Sequence, residues 1–359
     1  MFSLEGGRSC WHVRGAQGTA VTAVAEDTAS LDIRAFRGAV AAAKRNGCGW
    51  RSLRERFYSE RLQQNRMPLA GKRTEPSLQE SSLMSYLFSR LGVHHAPAEV
   101  YHYTSPAGLL GIVTQAEIWA TDTRYLNDSQ EFNYTIDRAN VLLNKAAAQN
   151  DSEDLGVVRR ALDVAPGAHL FAASFSAQRD LLSQWRAYCP AGGFSVGFAP
   201  GDIMETTGLF LMQCVYDTEE QDQLLSLVIE YFQKHSPSAE EQRAERYRLA
   251  GREAVILSAF LLLAAAFKAP AFAEEQEYRL VQTSKHTDYT AEYRQGRSGI
   301  MPFIRLPVKA EHEATARITS VVVGPSPHAD LALEAVRGFL KSQRLEARVD
   351  RSSVPVRSW

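Results

Sequence analysis

Short stretches of alternating hydrophobic and polar residues begin at about Ala98, a pattern that is typical of strands with one buried face. The clearest is Val100 to Thr104. There Tyr101 and Tyr103 share one face, and His102 and Thr104 share the other. The predicted strands are 100–104, 118–121, 170–175, 194–198, 209–216, 277–282, 303–308, 318–323 and 346–350.

Between these strands, hydrophobic residues recur at helical spacing. Asp128 is a predicted helix N-cap, and Glu131 completes its capping box. Strands and helices mix without regular β-α-β alternation. The sequence therefore predicts an α+β fold with a mixed or antiparallel central sheet and flanking helices. The predicted helices cover about 106–113, 129–148, 157–165, 180–188, 219–268 with a break at 236–237, and 329–343.

The first 95 residues follow a different pattern. They contain 14 Lys+Arg against 8 Asp+Glu, and only residues 31–64 show a broken helical spacing. Residues 71–76 have the composition of a linker, because small, charged and proline side chains cannot form a core. We expect residues 1–95 to be a loosely ordered basic extension, partly helical or disordered, that the fold does not need. Residues 96–359 are expected to form a single α+β domain.

Composition narrows the function classes. The 359 residues carry 40 Lys+Arg and 41 Asp+Glu, and this net charge of −1 leaves a nucleic-acid or protein acceptor open but gives it no support. The longest apolar stretch, residues 254–267, is too short to cross a bilayer and is expected to be a buried helix. The chain begins without a secretory signal, and its four cysteines are widely spaced. We therefore expect a cytoplasmic protein with no disulfide framework, no metal site and no membrane partner.

Familiar nucleotide-binding and hydrolase motifs are absent from the sequence, including GxxxxGK[ST], GxGxxG, HExxH and GxSxG. Candidate chemistry therefore rests on polar residues near the ends of predicted core strands. His102 beside the hydroxyl of Thr104 suits the binding of a ribose, or else His102 is a hydrogen-bonded core histidine. Ser174 and Ser176 point the same way from another strand.

Aromatic and charged residues complete this set. Trp185 and Tyr188 lie three apart, on one face of a predicted helix, where they form either a wall for a ligand or part of the core. Glu275, Glu277 and Arg279 occupy alternate positions of a predicted strand and would share a face. Two carboxylates about 7 Å apart beside an arginine suit the binding of a hydroxyl and the stabilisation of a cation. The alternative is an exposed edge strand with a salt bridge.

A series of motifs runs in order from about Ala98 to Trp359. They are YHYTS (101–105), LND with Glu131 (126–131), SFS and LLSQWRAY (174–188), GGFSVGF (192–198), FKAPAFAEEQEYRLV (267–281), LPV (306–308), VVVGP (321–325) and SSVPVRSW (352–359). With these motifs the chain resembles a bacterial family, domain-of-unknown-function family 2971. Val356 replaces the aromatic residue that usually precedes the final arginine of that family. The resemblance implies no reaction.

The order of His102, Tyr188 and Glu277 is also similar to the three-part pattern of ADP-ribosyltransferases. That similarity implies an NAD-dependent transfer to a macromolecular or small acceptor. The histidine would grip a ribose, the aromatic residue would stack near the nicotinamide, and the glutamate would stabilise the developing cation. His102, Glu275 and Glu277 are the predicted catalytic residues. The predicted NAD-binding residues are His102, Thr104, Ser174, Ser176, Trp185, Tyr188 and Arg279.

Two alternatives remain open from the sequence. One is a non-catalytic module, defence- or toxin-like, that binds a nucleotide or a protein. The other is a metal-dependent phosphodiesterase with oxygen ligands from Asp128, Glu131, Glu275 and Glu277. The enzyme hypothesis requires His102, Trp185, Tyr188, Glu275, Glu277 and Arg279 to converge on one pocket.

Overall fold

The computed structural model describes residues 2–5, 8–14, 20–25, 80–92, 97–125, 130–149, 152–234, 248–284, 291–296 and 299–355. The chain divides into two compact units, Met1–Leu78 and Gln79–Trp359. In the first unit, strands β1 (Phe2–Glu5), β2 (Arg8–Arg14) and β3 (Ala20–Ala25) form an antiparallel sheet in the order β1-β2-β3. Strands thus stand where a partly helical or disordered extension was expected. The helical stretch predicted at 31–64 lies outside the described residues.

The second unit begins earlier in the chain than predicted. Its first helix is α1 (Glu80–Leu91), in which Leu83, Leu87 and Leu91 are at most 1% exposed. These leucines recur at a spacing of four, so they form one buried stripe along the helix. Helix α1 lies within the compact unit Gln79–Trp359, whereas the sequence placed these residues in the extension that ends at residue 95.

Helices of the second unit follow the predicted pattern closely. Within the long helical stretch predicted at 219–268 the structure describes two helices, and residues 235–247 lie outside the described residues. The helices are α2 (Pro106–Gln115), α3 (Gln130–Gln149), α4 (Glu153–Val164), α5 (Leu182–Tyr188), α6 (Pro200–Thr207), α7 (Thr218–Lys234), α8 (Arg248–Ala266) and α9 (Ala329–Ser342).

The strands of the second unit form a 10-stranded sheet. Every pairing between its named strands is antiparallel except β12 with β13, so the predicted α+β fold with a mixed sheet is confirmed. The main order is β10-β11-β5-β6-β4-β7-β12-β13, and β9 pairs with β6 and β8. The strands are β4 (Val100–Thr104), β5 (Glu117–Asp122), β6 (His169–Ser176), β7 (Phe194–Phe198), β8 (Leu211–Gln213), β9 (Glu277–Ser284), β10 (Glu292–Gln295), β11 (Ile300–Pro307), β12 (Ser320–Val323) and β13 (Arg348–Arg351).

The two faces of this sheet are distinguished by register, because residues directly opposite each other on paired strands point to the same side. One face, here called the core face, carries His102 opposite Val196 and Phe175 opposite Tyr278. Its apolar residues pack with α2, α6 and α9 through residues such as Ile112, Ile203 and Val336.

The other face, here called the polar face, carries Tyr101 opposite Ser176, which in turn lies opposite Glu277. Two helical elements lie against it. Trp185 of α5 packs on Tyr103, and Arg279 donates a hydrogen bond to the carbonyl of Ala265 in α8. The candidate site therefore lies on the polar face, beside α5 and α8.

The apolar stretch 254–267 is the buried helix that its composition predicted. Ile256, Phe260, Leu263 and Phe267 are completely buried within and just after α8. Among the helices in the described ranges, none has the length and apolar character needed to span a membrane.

Candidate functional site

A buried ion pair forms the base of the candidate site. Glu277 and Arg279 occupy alternate positions of β9, project onto the polar face and are 5% and 3% exposed. Arg279 Nε donates to Glu277 Oε1 at 2.7 Å, and Nη2 donates to Oε2 at 2.9 Å. Its Nη1 donates to the carbonyl of Ala265 at 3.0 Å. Such a two-bond contact fixes both side chains in one geometry.

Lys268 extends the ion pair to a second carboxylate. Its Nζ donates to Glu277 Oε2 and to Glu275 Oε2, both at 2.6 Å. Its backbone is held just after α8, because its N–H donates to Val215 and its carbonyl accepts from the Gln221 amide. We call Tyr188, Lys268, Glu275, Glu277 and Arg279 the Glu275 cluster.

The Glu277 carboxylate is ionised at neutral pH. Burial acts to raise its pKa, but the charges and hydrogen bonds of Arg279 and Lys268 outweigh burial and lower the pKa to about 2. Both carboxylate oxygens are occupied by these cations. Glu277 therefore has a structural role that does not depend on a ligand.

Glu275 does not lie on a strand, which corrects the predicted alternation with Glu277. It ends a short 3-10 helix, Pro270–Glu275, and Gln276 turns the chain into β9 with a φ of 44°. The carboxylate meets Glu277 through Lys268 instead of along a strand face. Its Oε2 accepts from Lys268, and no hydrogen-bond donor in the described part of the chain contacts Oε1. Glu275 is therefore the carboxylate with a free oxygen.

Tyr188 lies at the exposed edge of the cluster, at the end of α5. The residue is 40% exposed, yet burial around its hydroxyl and the charges of Glu277 and Glu275 raise the pKa of Tyr188 to about 12. The phenol thus stays protonated and lies in the electrostatic field of the two carboxylates. An exposed ring beside a free carboxylate oxygen suits a ligand that has both a flat group and a hydroxyl group.

Trp185 does not share this edge with Tyr188. It is 2% exposed, its ring meets Tyr103 edge-on at 4.7 Å, and its Nε1 donates to Asp180 at 2.8 Å. The predicted aromatic wall is therefore absent, since one ring belongs to the core and the other to the surface.

The two serines point the same way, as predicted, because Ser174 lies opposite Arg279 and Ser176 opposite Glu277. Ser176 is buried; its hydroxyl donates to the carbonyl of Glu275 at 2.6 Å and accepts from the N–H of Gln178. Ser176 therefore closes the turn that places Glu275. Ser174 is half-buried next to the cluster.

His102 lies on the core face, across the sheet from Glu277. Its Nδ1 is 2.9 Å from the carbonyl of Ser174, and its ring is 5.8 Å from that of Phe175. A carbonyl only accepts, so Nδ1 carries the proton. Burial lowers the pKa of His102, which keeps the ring neutral. Thr104 shares this face and packs closely on Gly108 in the first turn of α2.

Of the six residues expected to converge, the structure brings together Tyr188, Glu275, Glu277 and Arg279. It separates His102 and Trp185 from them. Lys268, which links the carboxylates, was missed by the sequence reasoning. A single charged residue directly after a 14-residue apolar stretch was the available signal.

A second polar centre joins the C-terminal motif to the domain. Asp180 accepts hydrogen bonds from Trp185 Nε1, from the hydroxyls of Ser352 and Ser353, and from the N–H of Ser353 at 2.7 Å. These bonds lower the pKa of Asp180 against the effect of burial. Two motifs that are distant in the sequence, LLSQWRAY and SSVPVRSW, thus meet at the Asp180 carboxylate, which attaches the C-terminal segment to α5.

The metal-site alternative has little structural support. In the described ranges no group of three His, Cys, Asp or Glu side chains is placed to hold a metal ion. Glu275 and Glu277 face Lys268 and Arg279, whose charges disfavour a cation there. Asp128 and the side chain of Glu131, with the capping box predicted from them, lie outside the described residues.

Residues 184–280 match the family model described as Protein of unknown function (DUF2971). Over this range, here called the DUF2971 segment, the chain is similar to that family. The predicted resemblance is thereby confirmed over these residues. No curated protein and no solved structure matches the chain significantly. The DUF2971 segment runs from α5 into β9, so it contains every member of the Glu275 cluster.

Proposed function

We propose that the Glu275 cluster binds a nucleotide-like ligand, and that NAD is the first ligand to test. The observation that carries this proposal is the Oε1 of Glu275, which accepts no hydrogen bond from the described residues, in a carboxylate whose charge acts on the 40% exposed Tyr188. Lys268 fixes the other oxygen, so the carboxylate is already oriented to accept a ribose hydroxyl. The ring of Tyr188 offers a stacking surface for a base.

The same carboxylate suits an NAD-dependent ADP-ribosyl transfer. In that reaction the bond between ribose and nicotinamide breaks, and the electron pair leaves with nicotinamide. The acceptor forms the new bond to the ribose, and its proton goes to water. A fixed carboxylate stabilises the positive charge that develops on the ribose. The catalytic role proposed for Glu277 passes to Glu275, because both oxygens of Glu277 are occupied.

The structure reduces the number of predicted residues that can contact NAD at the Glu275 cluster. His102 and Thr104 lie on the opposite face, and Trp185 is buried, so we assign them no contact with NAD. Arg279 is engaged with Glu277 and the carbonyl of Ala265, and so a phosphate contact has no support. Ser174 and Tyr188 remain as binding candidates beside Glu275.

A non-catalytic module that binds a nucleotide or protein is the second candidate function. The complete pairing of Glu277 with Arg279 and Lys268 favours it, because that charge pattern is stable without substrate. A macromolecular or small acceptor belongs to the transferase proposal. A cytoplasmic location is proposed for both candidate functions.

Measurement of nicotinamide release from NAD distinguishes the transferase from the non-catalytic module. We expect wild type to release nicotinamide and Glu275→Gln to lose that activity, because the substitution keeps the shape and removes the charge. Glu274→Gln is the matched control, since Glu274 is exposed and adjacent. If NAD raises the melting temperature without nicotinamide release, the module is non-catalytic. If NAD neither raises the melting temperature nor reacts, the nucleotide proposal is wrong.

A further inference from the structure

A basic groove lies between α9 and the edge strand β13. Its volume is about 680 Å³, and its charged lining residues are Arg337, Lys341, Arg344, Arg348 and Glu346. Four cations and one anion (4 − 1) leave a net local charge of +3 on a chain whose net charge is −1. None of the residues that line the groove is aromatic.

Two of these cations are available to a ligand. Lys341 and Arg344 are exposed, and neither has an ion-pair partner among the described residues. Arg348 is shared between Glu99 and Asp350, and Arg337 donates a long bond to the carbonyl of Val349. The free cations therefore lie at and just after the C-terminal end of α9. Of the engaged cations, Arg337 lies on α9 and Arg348 lies on β13.

Arg344 occupies a backbone position that usually belongs to glycine. Its φ is 55°, and the N–H of Leu345 bonds back to Leu340 at 3.0 Å to end the helix. A side chain other than that of glycine or asparagine is strained in this left-handed region. Ala116 ends α2 with a similar φ of 54°, so this conformation shows only that a glycine would fit the position with less strain.

Two structural explanations for the charges compete with ligand binding. Cations near the end of a helix interact favourably with its dipole, and charges on an edge strand prevent strand addition. The first explanation covers Lys341, and the second covers Arg348. Neither explanation requires four cations to line one groove with a single anion.

We propose that this groove binds an anion with two or more phosphate groups, either a nucleoside polyphosphate or a free polyphosphate. The volume lies within the range of small-ligand sites, and cations without aromatic side chains recognise phosphates instead of bases. The groove lies beside α9, which packs on the core face. The Glu275 cluster lies on the polar face, so the two proposals concern separate sites, and variants at each site distinguish them.

Calorimetric titration with tripolyphosphate and with ATP tests the groove. We expect saturable binding that Lys341→Gln and Arg344→Gln each weaken about fivefold, as removal of one exposed charge pair of about 1 kcal/mol implies. Lys145→Gln is the control, because Lys145 is an exposed cation on α3. Equal affinity for both anions assigns recognition to phosphates alone, and tighter binding of ATP identifies a nucleotide ligand.

Arg344→Gly separates a binding role from a structural role. The substitution relieves the backbone strain, so the melting temperature should rise by about 2 °C while tripolyphosphate binding weakens as in Arg344→Gln. The proposal is overturned if neither anion binds, if the Arg344 variants bind like wild type, or if only an oligonucleotide binds.

Discussion

Glu277 and Arg279 form a two-bond ion pair on the polar face of β9, with N–O distances of 2.7 and 2.9 Å. Both side chains are buried, and Lys268 adds a third bond to the same carboxylate. Burial of a charge is unfavourable unless its partners stay in place. The pair therefore supports the fold, and the chemistry proposed for the site depends on its exposed neighbour, Glu275.

Glu277→Gln should lower the free energy of unfolding by about 3–5 kcal/mol, because Arg279 would lose its two-bond carboxylate partner while Lys268 would keep Glu275. Urea unfolding at neutral pH measures the change. Glu274→Gln, on an exposed neighbour, should change stability by less than about 0.5 kcal/mol. An unchanged urea midpoint in Glu277→Gln would contradict the structural role.

Stability should also fall in acid through Glu277. Its pKa is lowered from 4.5 to about 2 in the folded protein. A lowered pKa gives stability that is complete above pH 4.5 and is lost as the pH falls through the folded value. The loss amounts to about 3 kcal/mol. Urea midpoints measured between pH 5 and 2 (about 2 being the folded pKa) should decline steeply in wild type and less in Glu277→Gln. Parallel profiles would refute this linkage.

His102 should matter for stability and not for NAD. His102→Leu removes the donor to the Ser174 carbonyl and should cost about 1–3 kcal/mol. His102→Asn can place an amide N–H near the Nδ1 position and should recover part of that loss. Because the lowered pKa keeps His102 neutral, acidification through its folded pKa should destabilise wild type.

NAD binding should be the same in both His102 variants as in wild type. Loss of NAD binding in a stable His102→Leu protein would show that the site extends across the sheet.

Truncation should place the domain boundary at residue 78. Removal of residues 1–78 should leave a cooperative thermal transition, because the second compact unit begins at Gln79. Removal of residues 1–95 also deletes α1 with its completely buried Leu83 and Leu87. That protein should melt at a lower temperature or without cooperativity. Identical melting curves for the two truncations would contradict a boundary at residue 78.

Much of the fold was predictable, because periodicity reports which residues of one element share a face. It correctly placed His102 and Thr104 on one face of their strand, and Ser174 and Ser176 on one face of theirs. The apolar composition of residues 254–267 identified the buried stretch of α8. Strand β10 was missed, since its residues are mostly exposed and show no apolar alternation.

Periodicity within a strand does not tell which faces of different strands coincide. That depends on strand pairing, and β4 meets β6 through a single residue pair, Tyr101 with Ser176. This pairing puts Tyr101, not His102, on the side of Glu277. Lys268 was missed for a related reason, because a buried lysine is identified by partners that only the fold brings close.

Calorimetric titration of NAD into wild type, Glu275→Gln and Glu274→Gln tests the nucleotide site most directly. Wild type and Glu274→Gln should bind with the same affinity. Glu275→Gln should bind about tenfold more weakly, as the loss of one charge-assisted hydrogen bond implies. Absence of binding to wild type, or equal affinity in all three proteins, would contradict the assignment of the site to Glu275.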